Sequence, residues 1–295
     1  MLPCLGDLRI MGWGLVLAFW MAASTGCVGL VREWVETEET IELSTTGIAT
    51  VAAVTDNGSI RGAAADTDDE PLHVRVRIRA GGINESDAAA CRDAIEVITP
   101  TSGDAAEVQE IRWQWKQPKQ PTWQANVSYE ITMPARLALR ATTHNGEIEA
   151  EGLRSTCHLE THNGQISVHG ATGALEAESH NGSIDANSDA EHVVLHTHNG
   201  EIDAELASST TLSGEVITHN GNVDVSLSTD VSVDLECRTH NGRVESELEL
   251  TDQRKKGRKA LAGTLGQGGK TLVVRSHNGS VSLDGSVSSS PSRKR

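Results

Sequence analysis

Leu195-His196-Thr197-His198-Asn199-Gly200-Glu201-Ile202-Asp203-Ala204 carries the pattern that decides the fold. Apolar and polar residues alternate up to the histidine, pause at Asn-Gly, and alternate again after it. That is the period of a strand with one buried face, repeated on both sides of a corner. The triplet returns seven times, as His144-Asn145-Gly146, His162-Asn163-Gly164, His180-Asn181-Gly182, His198-Asn199-Gly200, His219-Asn220-Gly221, His240-Asn241-Gly242 and His277-Asn278-Gly279. The histidines are spaced by 18, 18, 18, 21, 21 and 37 residues, the last close to two repeats. A fixed period of this length marks stacked repeats. A variant, Asp56-Asn57-Gly58-Ser59-Ile60, precedes them.

Alignment on the histidine separates the two faces. Three positions before it stand Ala141, Leu159, Ala177, Leu195, Val216, Cys237 and Val274, all apolar. Four positions after it stand Ile148, Ile166, Ile184, Ile202, Val223, Val244 and Val281. The positions between are largely polar or acidic. Each repeat therefore reads as strand, turn, strand, with Asn and Gly expected to supply a positive φ at the corner. Asn-Gly is also a hairpin signal, so a meander fits the same alternation. Near-identity at every turn favours stacking, which sets equivalent residues in ladders about 4.8 Å apart. The expected fold is all-β: a single-chain parallel β-solenoid with rungs of 18–21 residues over 141–285, about eight rungs long. A smaller β-rich section and cap over 41–140 precedes it.

The chain has 295 residues, with 25 Lys+Arg against 41 Asp+Glu, a formal charge of −16. That balance speaks against nucleic acid as a partner, because phosphate binding needs a basic surface. Residues 141–250 hold 20 Asp+Glu and 3 Lys+Arg. Stacked carboxylates repel, so a cation-binding face is one reading and a solvated acidic face the other.

The first 26 residues read as an export signal. Arg9 precedes an apolar run from Met11 to Ala23, too short to span a bilayer as a helix. Small residues then lead to Cys27, the pattern of a lipoprotein signal whose cysteine is lipidated. Ser24 stands where that pattern prefers Leu, and ordinary signal cleavage is the alternative. Residues 27–40 read as an anchor spacer. His73-Val74-Arg75-Val76-Arg77-Ile78-Arg79 reads as a strand. Ser86 is placed as the cap of a short helix through Ile95, ended by Pro100. Trp113, Trp115, Trp123 and Tyr129 surround a Pro-rich turn and read as a small core or cap. Arg254-Lys255-Lys256-Gly257-Arg258-Lys259, within 251–270, reads as a basic, Gly-rich loop replacing one turn, either solvated or in contact with anionic lipid or lipopolysaccharide. Residues 286–295 read as a disordered tail.

Val127-Ser128-Tyr129-Glu130-Ile131-Thr132-Met133-Pro134, Leu137-Ala138-Leu139 and Thr143-His144-Asn145-Gly146-Glu147-Ile148 resemble the putative-adhesin domain family of bacterial envelope proteins. The resemblance covers about residues 41–285. It implies β-strand repeats with a recurring Thr-x-Asn-Gly-x-Ile turn and attachment at the surface or envelope.

Several residue sets are candidates for chemistry. Glu178, His180, His196 and His198 fall on one face of adjacent repeats, a donor set suited to zinc, copper or nickel. Copying of the turn explains the same histidines without any ligand. Stacked imidazoles would also oppose joint protonation, which suggests a pH-responsive surface. The ladder Thr143, Thr161, Ser179, Thr197, Thr218, Thr239 and Ser276 is turned inward by the alternation, where the hydroxyls meet corner backbone groups and cannot bind ice. Cys157 and Cys237 read as core residues too far apart for a disulfide. No nucleophile elbow, zincin motif or phosphate loop is present, and residues 141–285 contain no Phe, Trp or Tyr on which a sugar could stack. The expectation is a non-catalytic protein with no cofactor. It would be exported to the outer membrane or cell surface on a lipid anchor, where an acidic repetitive face meets an unknown surface or envelope ligand. The alternatives are an envelope sensor domain binding a protein or peptide signal, and metal capture.

Overall fold

The structure is a computed structural model describing residues 33–99, 107–207, 211–228 and 230–286. The signal segment, Cys27, Pro100 and the tail after Ser286 lie outside the described residues. The N-terminal section runs β1 (Glu33–Leu43), β2 (Thr50–Asn57), β3 (Ile60–Ala64), β4 (Leu72–Gly82), α1 (Glu85–Asp93), β5 (Ile95–Ile98), β6 (Val108–Trp115) and β7 (Gln124–Met133). The repeats follow as strand pairs on either side of each Asn-Gly. These are β8 (Ala138–Asn145) with β9 (Ile148–Glu151), β10 (Cys157–Asn163) with β11 (Ile166–Ala171), and β12 (Leu175–Ser179) with β13 (Ile184–Ser188). Next come β14 (His192–Asn199) with β15 (Ile202–Leu206), β16 (Ser213–Asn220) with β17 (Val223–Ser228), and β18 (Val233–Asn241) with β19 (Val244–Ser246). The chain closes with β20 (Thr251–Gly257), β21 (Ala260–Leu265), β22 (Thr271–Asn278) and β23 (Val281–Ser286).

The strand before each Asn-Gly and the strand after it belong to different sheets, and no hairpin forms across the turn. Equivalent strands of neighbouring repeats pair in parallel, with Leu159 opposite both Ala141 and Ala177, and Ile166 opposite both Ile148 and Ile184. A meander is thereby excluded. The result is two large, mostly parallel sheets of 12 and 11 strands. Their facing sides bury one continuous core, including Leu139, Leu159, Ile166, Ile184, Leu195, Ile202, Val223 and Val281, each 0 or 1% exposed. Each such side chain contributes roughly 1.5–3 kcal/mol. The alternation in the sequence thus maps onto burial through the body of the stack. It lapses at β19, an edge strand, where Val244 is half-buried and Ser246 is exposed.

Order along the stack departs from order along the chain. In space the two-strand rungs run β6/β7, β2/β3, β8/β9, β10/β11, β12/β13, β14/β15, β16/β17, β22/β23, β18/β19. At each end one rung is slotted in out of sequence. The 37-residue gap between His240 and His277 is therefore not a skipped turn. After β19 the chain makes the hairpin β20–β21, which pairs antiparallel with β18. It then returns to lay β22/β23 between β17 and β19. The stretch expected as a loop is this hairpin. At the other end β6/β7 forms a rung with no Asn-Gly, its two strands joined through the Pro-rich turn. Of the nine rungs, seven fall in the stretch expected as the solenoid; β2/β3 and β6/β7 come from residues 41–140, expected as a separate section and cap, because their strands continue both sheets in parallel.

Other details also differ from expectation. Residues 33–40, expected as part of a spacer, belong to β1. They pair antiparallel with β4, because Glu36 and Glu38 meet Arg77 and Arg75 there. Helix α1 is capped by Asn84, not Ser86, and stops at Asp93. Asn84 Oδ1 accepts the Asp87 N–H at 2.9 Å, and Asp87 Oδ2 accepts the Ile83 N–H at 3.0 Å. The indoles of Trp113, Trp115 and Trp123 pack together with centroids 5.3 and 5.8 Å apart, forming the cap expected of them. Val74, Val76 and Ile78 of β4 are buried as expected. Cys91, Cys157 and Cys237 are free and buried. Burial pushes the Cys157 thiol up to about 11 and the Cys237 thiol up to about 12.

Candidate binding groove along the histidine ladder

Three side-chain ladders run along the Asn-Gly edge. The Thr/Ser residues point inward and are buried. Each hydroxyl donates to the glycine carbonyl of the adjacent rung, for example Thr161 to Gly146 at 3.0 Å, Thr197 to Gly182 at 2.8 Å and Thr239 to Gly279 at 2.7 Å. The asparagines form an amide ladder, since each carboxamide both donates and accepts. Asn163 donates to Asn145 at 2.8 Å, Asn181 to Asn163 at 2.9 Å and Asn199 to Asn181 at 2.8 Å. The histidines point outward. Their ring centroids are 4.7 Å apart for His144–His162, 4.6 Å for His162–His180, 5.0 Å for His180–His198, 4.8 Å for His198–His219, 4.6 Å for His219–His277 and 4.7 Å for His277–His240.

Positive φ accounts for glycine at only two of the corners, Gly58 (φ +150°) and Gly221 (φ +157°); close approach of the backbones accounts for the rest. The corner Asn closes its strand in every repeat but one, Asn181 lying in a bend after Ser179, and Asp252 is the one non-glycine residue with positive φ among those described. A Cβ on Gly182 would lie 1.7 Å from the Gly164 carbonyl oxygen, and one on Gly164 would lie 1.8 Å from that of Gly146. Close approach of one rung's backbone to the next, which no side chain tolerates, fixes the residue.

Two residues before each histidine, a second outward column follows the ladder. In spatial order it reads Thr142, Glu160, Glu178, His196, Ile217, Arg275, Arg238. Between this column and the ladder, from Glu178 and His180 to Arg238 and His240, lies an open groove of about 750 Å³ floored by the Thr/Ser row. The groove changes character along its length, from carboxylate through imidazole and isoleucine to paired guanidinium. Sequence reading singled out only its acidic end. Reading down the column two before each histidine would have disclosed Ile217, Arg238 and Arg275.

The four expected metal donors line this groove but do not converge. Glu178 and His196 are register partners, and His180 and His198 are ladder neighbours. The His180 ring is turned 60° from that of His198 and 71° from that of His162. Among the described residues no group of three or more His, Cys, Asp or Glu side chains could hold a metal ion. His196 Nε2 instead sits 3.5 Å from Glu215 Oε2, and His158 Nδ1 2.8 Å from Glu176 Oε2. His162 is held below the ordinary histidine value, first by partial desolvation and then by His180 and His144 on either side.

The outer face of the other sheet carries the acidic ladder, with Asp185, Asp203 and Asp224 in direct register. Desolvation, then Asp185 and Glu205, raise the Asp203 carboxyl. Desolvation, then Asp203, Glu201 and Asp284, raise that of Asp224. Nearer β1 the same face is neutralised. Arg61 meets Glu149 and Glu151 at 3.5 and 3.0 Å, and Arg75 meets Glu38 and Glu130 at 3.3 and 2.9 Å.

No family model matches the chain, and no curated protein matches it. Solved structures that it resembles include a putative adhesin from Bacteroides fragilis, 12% identical, with 83% of this chain and 96% of that one covered at a TM-score of 0.40. A putative cell adhesion protein from Clostridium sporogenes is 9% identical over 85% of this chain and 100% of its own, with a TM-score of 0.34. A putative lipid binding protein from Parabacteroides distasonis is 11% identical over 86% and 95%, with a TM-score of 0.35. The architecture described above rests on the strand register, to which likenesses at these TM-scores add nothing.

Proposed function

We propose that this chain is an exported, non-catalytic envelope protein, lipid-anchored through Cys27, whose β-solenoid turns at His-Asn-Gly and presents its outer faces for adhesion or another surface contact. The observation that carries this reading is the groove along the histidine ladder, built from equivalent positions of successive rungs. A ligand lying along it would meet a long, rigid, repeating surface and no enclosed pocket. Such geometry suits contact with an extended partner and gives no convergent pair of carboxylates to a reacting bond. No helix among the described residues is long and apolar enough to cross a membrane.

Protease accessibility on intact cells, with a lysed control, tests the reading. Rapid cleavage on intact cells is expected. Cleavage only after lysis would replace the adhesive role with that of an envelope sensor binding a protein or peptide. Replacing Cys27→Ser should release the protein from the membrane fraction. Retention of that variant would overturn the anchor.

A further inference from the structure

Arg238 and Arg275 stand opposite each other in register on β18 and β22. Strand spacing sets their backbones about 4.8 Å apart. Like charges directly opposite in a sheet are destabilising, and ordinarily a carboxylate sits between them. Here none does. Among the described residues neither guanidinium takes part in an ion pair or a hydrogen bond, in a chain with 41 acidic side chains to choose from. The nearby Asp234 is engaged elsewhere, by the Thr264 hydroxyl at 2.6 Å, the Gly269 N–H at 3.4 Å and Arg254 at 3.6 Å. These contacts hold its carboxyl below the ordinary value. Glu236, two residues from Arg238 on the same face, makes no ion pair with it. His240 and His277 border the pair, stacked at 4.7 Å, and Lys259 Nζ donates to the His240 carbonyl at 2.6 Å.

We propose that this basic end of the groove is a binding site for one terminal phosphate or sulfate group. Two guanidinium forks one rung apart offer parallel pairs of N–H donors to a tetrahedral oxyanion, the geometry in which arginine is most selective. The charge of the oxyanion would relieve the repulsion between the arginines. Glu160, Glu176, Glu178 and Glu215 on the same sheet face repel a second anionic group further along. The site therefore takes a single anionic terminus and rejects a polyanion. Only the origin of the ligand, on a neighbouring surface, rests on the contact reading above; the oxyanion site stands or falls without it.

The test is titration of the folded protein with inorganic phosphate at pH 7.5, against sodium chloride of equal ionic strength, followed by calorimetry and by guanidinium NMR signals. Saturable binding of phosphate over chloride is expected. R238Q and R275Q should each weaken it at least tenfold. R140Q, an exposed and unpaired arginine elsewhere on the same sheet, should leave it within twofold. R275K keeps the charge but loses the fork and should fall between. Thermal unfolding of every variant confirms that the fold is kept. A parallel arm with phosphatidylglycerol vesicles separates the sources: retention lost in R238Q and R275Q assigns the phosphate to a lipid headgroup, and binding of free phosphate alone assigns it to a soluble or saccharide-borne ester. Phosphate binding no better than chloride, or equal losses in R140Q, would overturn the site. Neither result depends on whether protease reaches the domain on intact cells.

Discussion

The two corners of each rung obey different rules. At the Asn-Gly corner the same residues recur because three side-chain ladders and one backbone contact tie each His-Asn-Gly rung to the next. At the opposite corner the ties are mostly backbone, such as Thr172 N–H to Leu153 O at 3.0 Å and Asp189 N–H to Ala171 O at 2.9 Å. Ser188 adds a hydroxyl bond to Ala171 O at 2.8 Å, but no equivalent ladder continues from it. Length drifts there too. Three residues, 189–191, join β13 to β14, whereas six, 207–212, join β15 to β16. The change from an 18- to a 21-residue spacing is absorbed entirely at this corner, since the register is unbroken on both sheets. Sequence identity is held where side chains bond across rungs, and it relaxes where only the backbone does.

Five measurements would break or sharpen this contrast. The largest effect is expected for Gly182→Ala, whose new methyl collides with the Gly164 carbonyl. We expect a loss of about 3 kcal/mol in urea unfolding. Gly170→Ala, at the opposite corner with φ +67° and no atom nearer than 4.0 Å, should lose about 1 kcal/mol, from backbone strain alone. Equal losses would remove the distinction between the corners. Thr197→Val keeps the shape and deletes the hydroxyl bond to Gly182, and should cost about 1.5 kcal/mol by the same assay.

Asp203→Asn on the acidic face should raise stability at pH 7 by about 0.5 kcal/mol, less in high salt. The sign follows from a folded carboxyl that ionises less readily than the unfolded one. Its penalty is present above the raised value and vanishes below about pH 3.8. A loss on substitution would show that the ladder is stabilised as it stands. The smallest effect is expected at His162. Its NMR titration midpoint should lie below 6.5, and His180→Gln should move it upward. Because the folded ring is the weaker base, stability is undiminished above pH 6.5 and declines as pH falls through that value. A midpoint at or above 6.5 would contradict the ladder's mutual repulsion.

Most of the body was legible in the sequence because burial follows alternation, and alternation needs no knowledge of neighbours. Leu159, Ile184 and Leu195 were placed correctly on that ground alone. Rung order was not legible. The strands β16, β18 and β22 carry equivalent patterns, so the pattern is equally satisfied by either stacking of the last two. The second demand on the corner glycines, close approach between rungs, was not legible for a related reason. A positive φ is a local property that sequence can suggest, whereas the 1.7 Å approach at Gly182 exists only once rungs stack. The groove was half legible. His180, His196 and His198 advertised themselves, while Arg238 and Arg275 lie 37 residues apart in the chain and become neighbours only once the β20–β21 hairpin folds out and β22 pairs with β18.

That insertion, present at both ends, restricts how such a molecule can lengthen over generations. Copying a repeat anywhere from β8 to β17 adds one rung and shifts nothing else. Copying one at either terminus would have to fit a slot already closed by the returning chain. New units are therefore accepted from the middle outward, each lengthening the rod by one strand spacing of about 4.8 Å. The two closing arrangements, each with an antiparallel strand beyond it, would travel unchanged as the fixed ends of rods of different length.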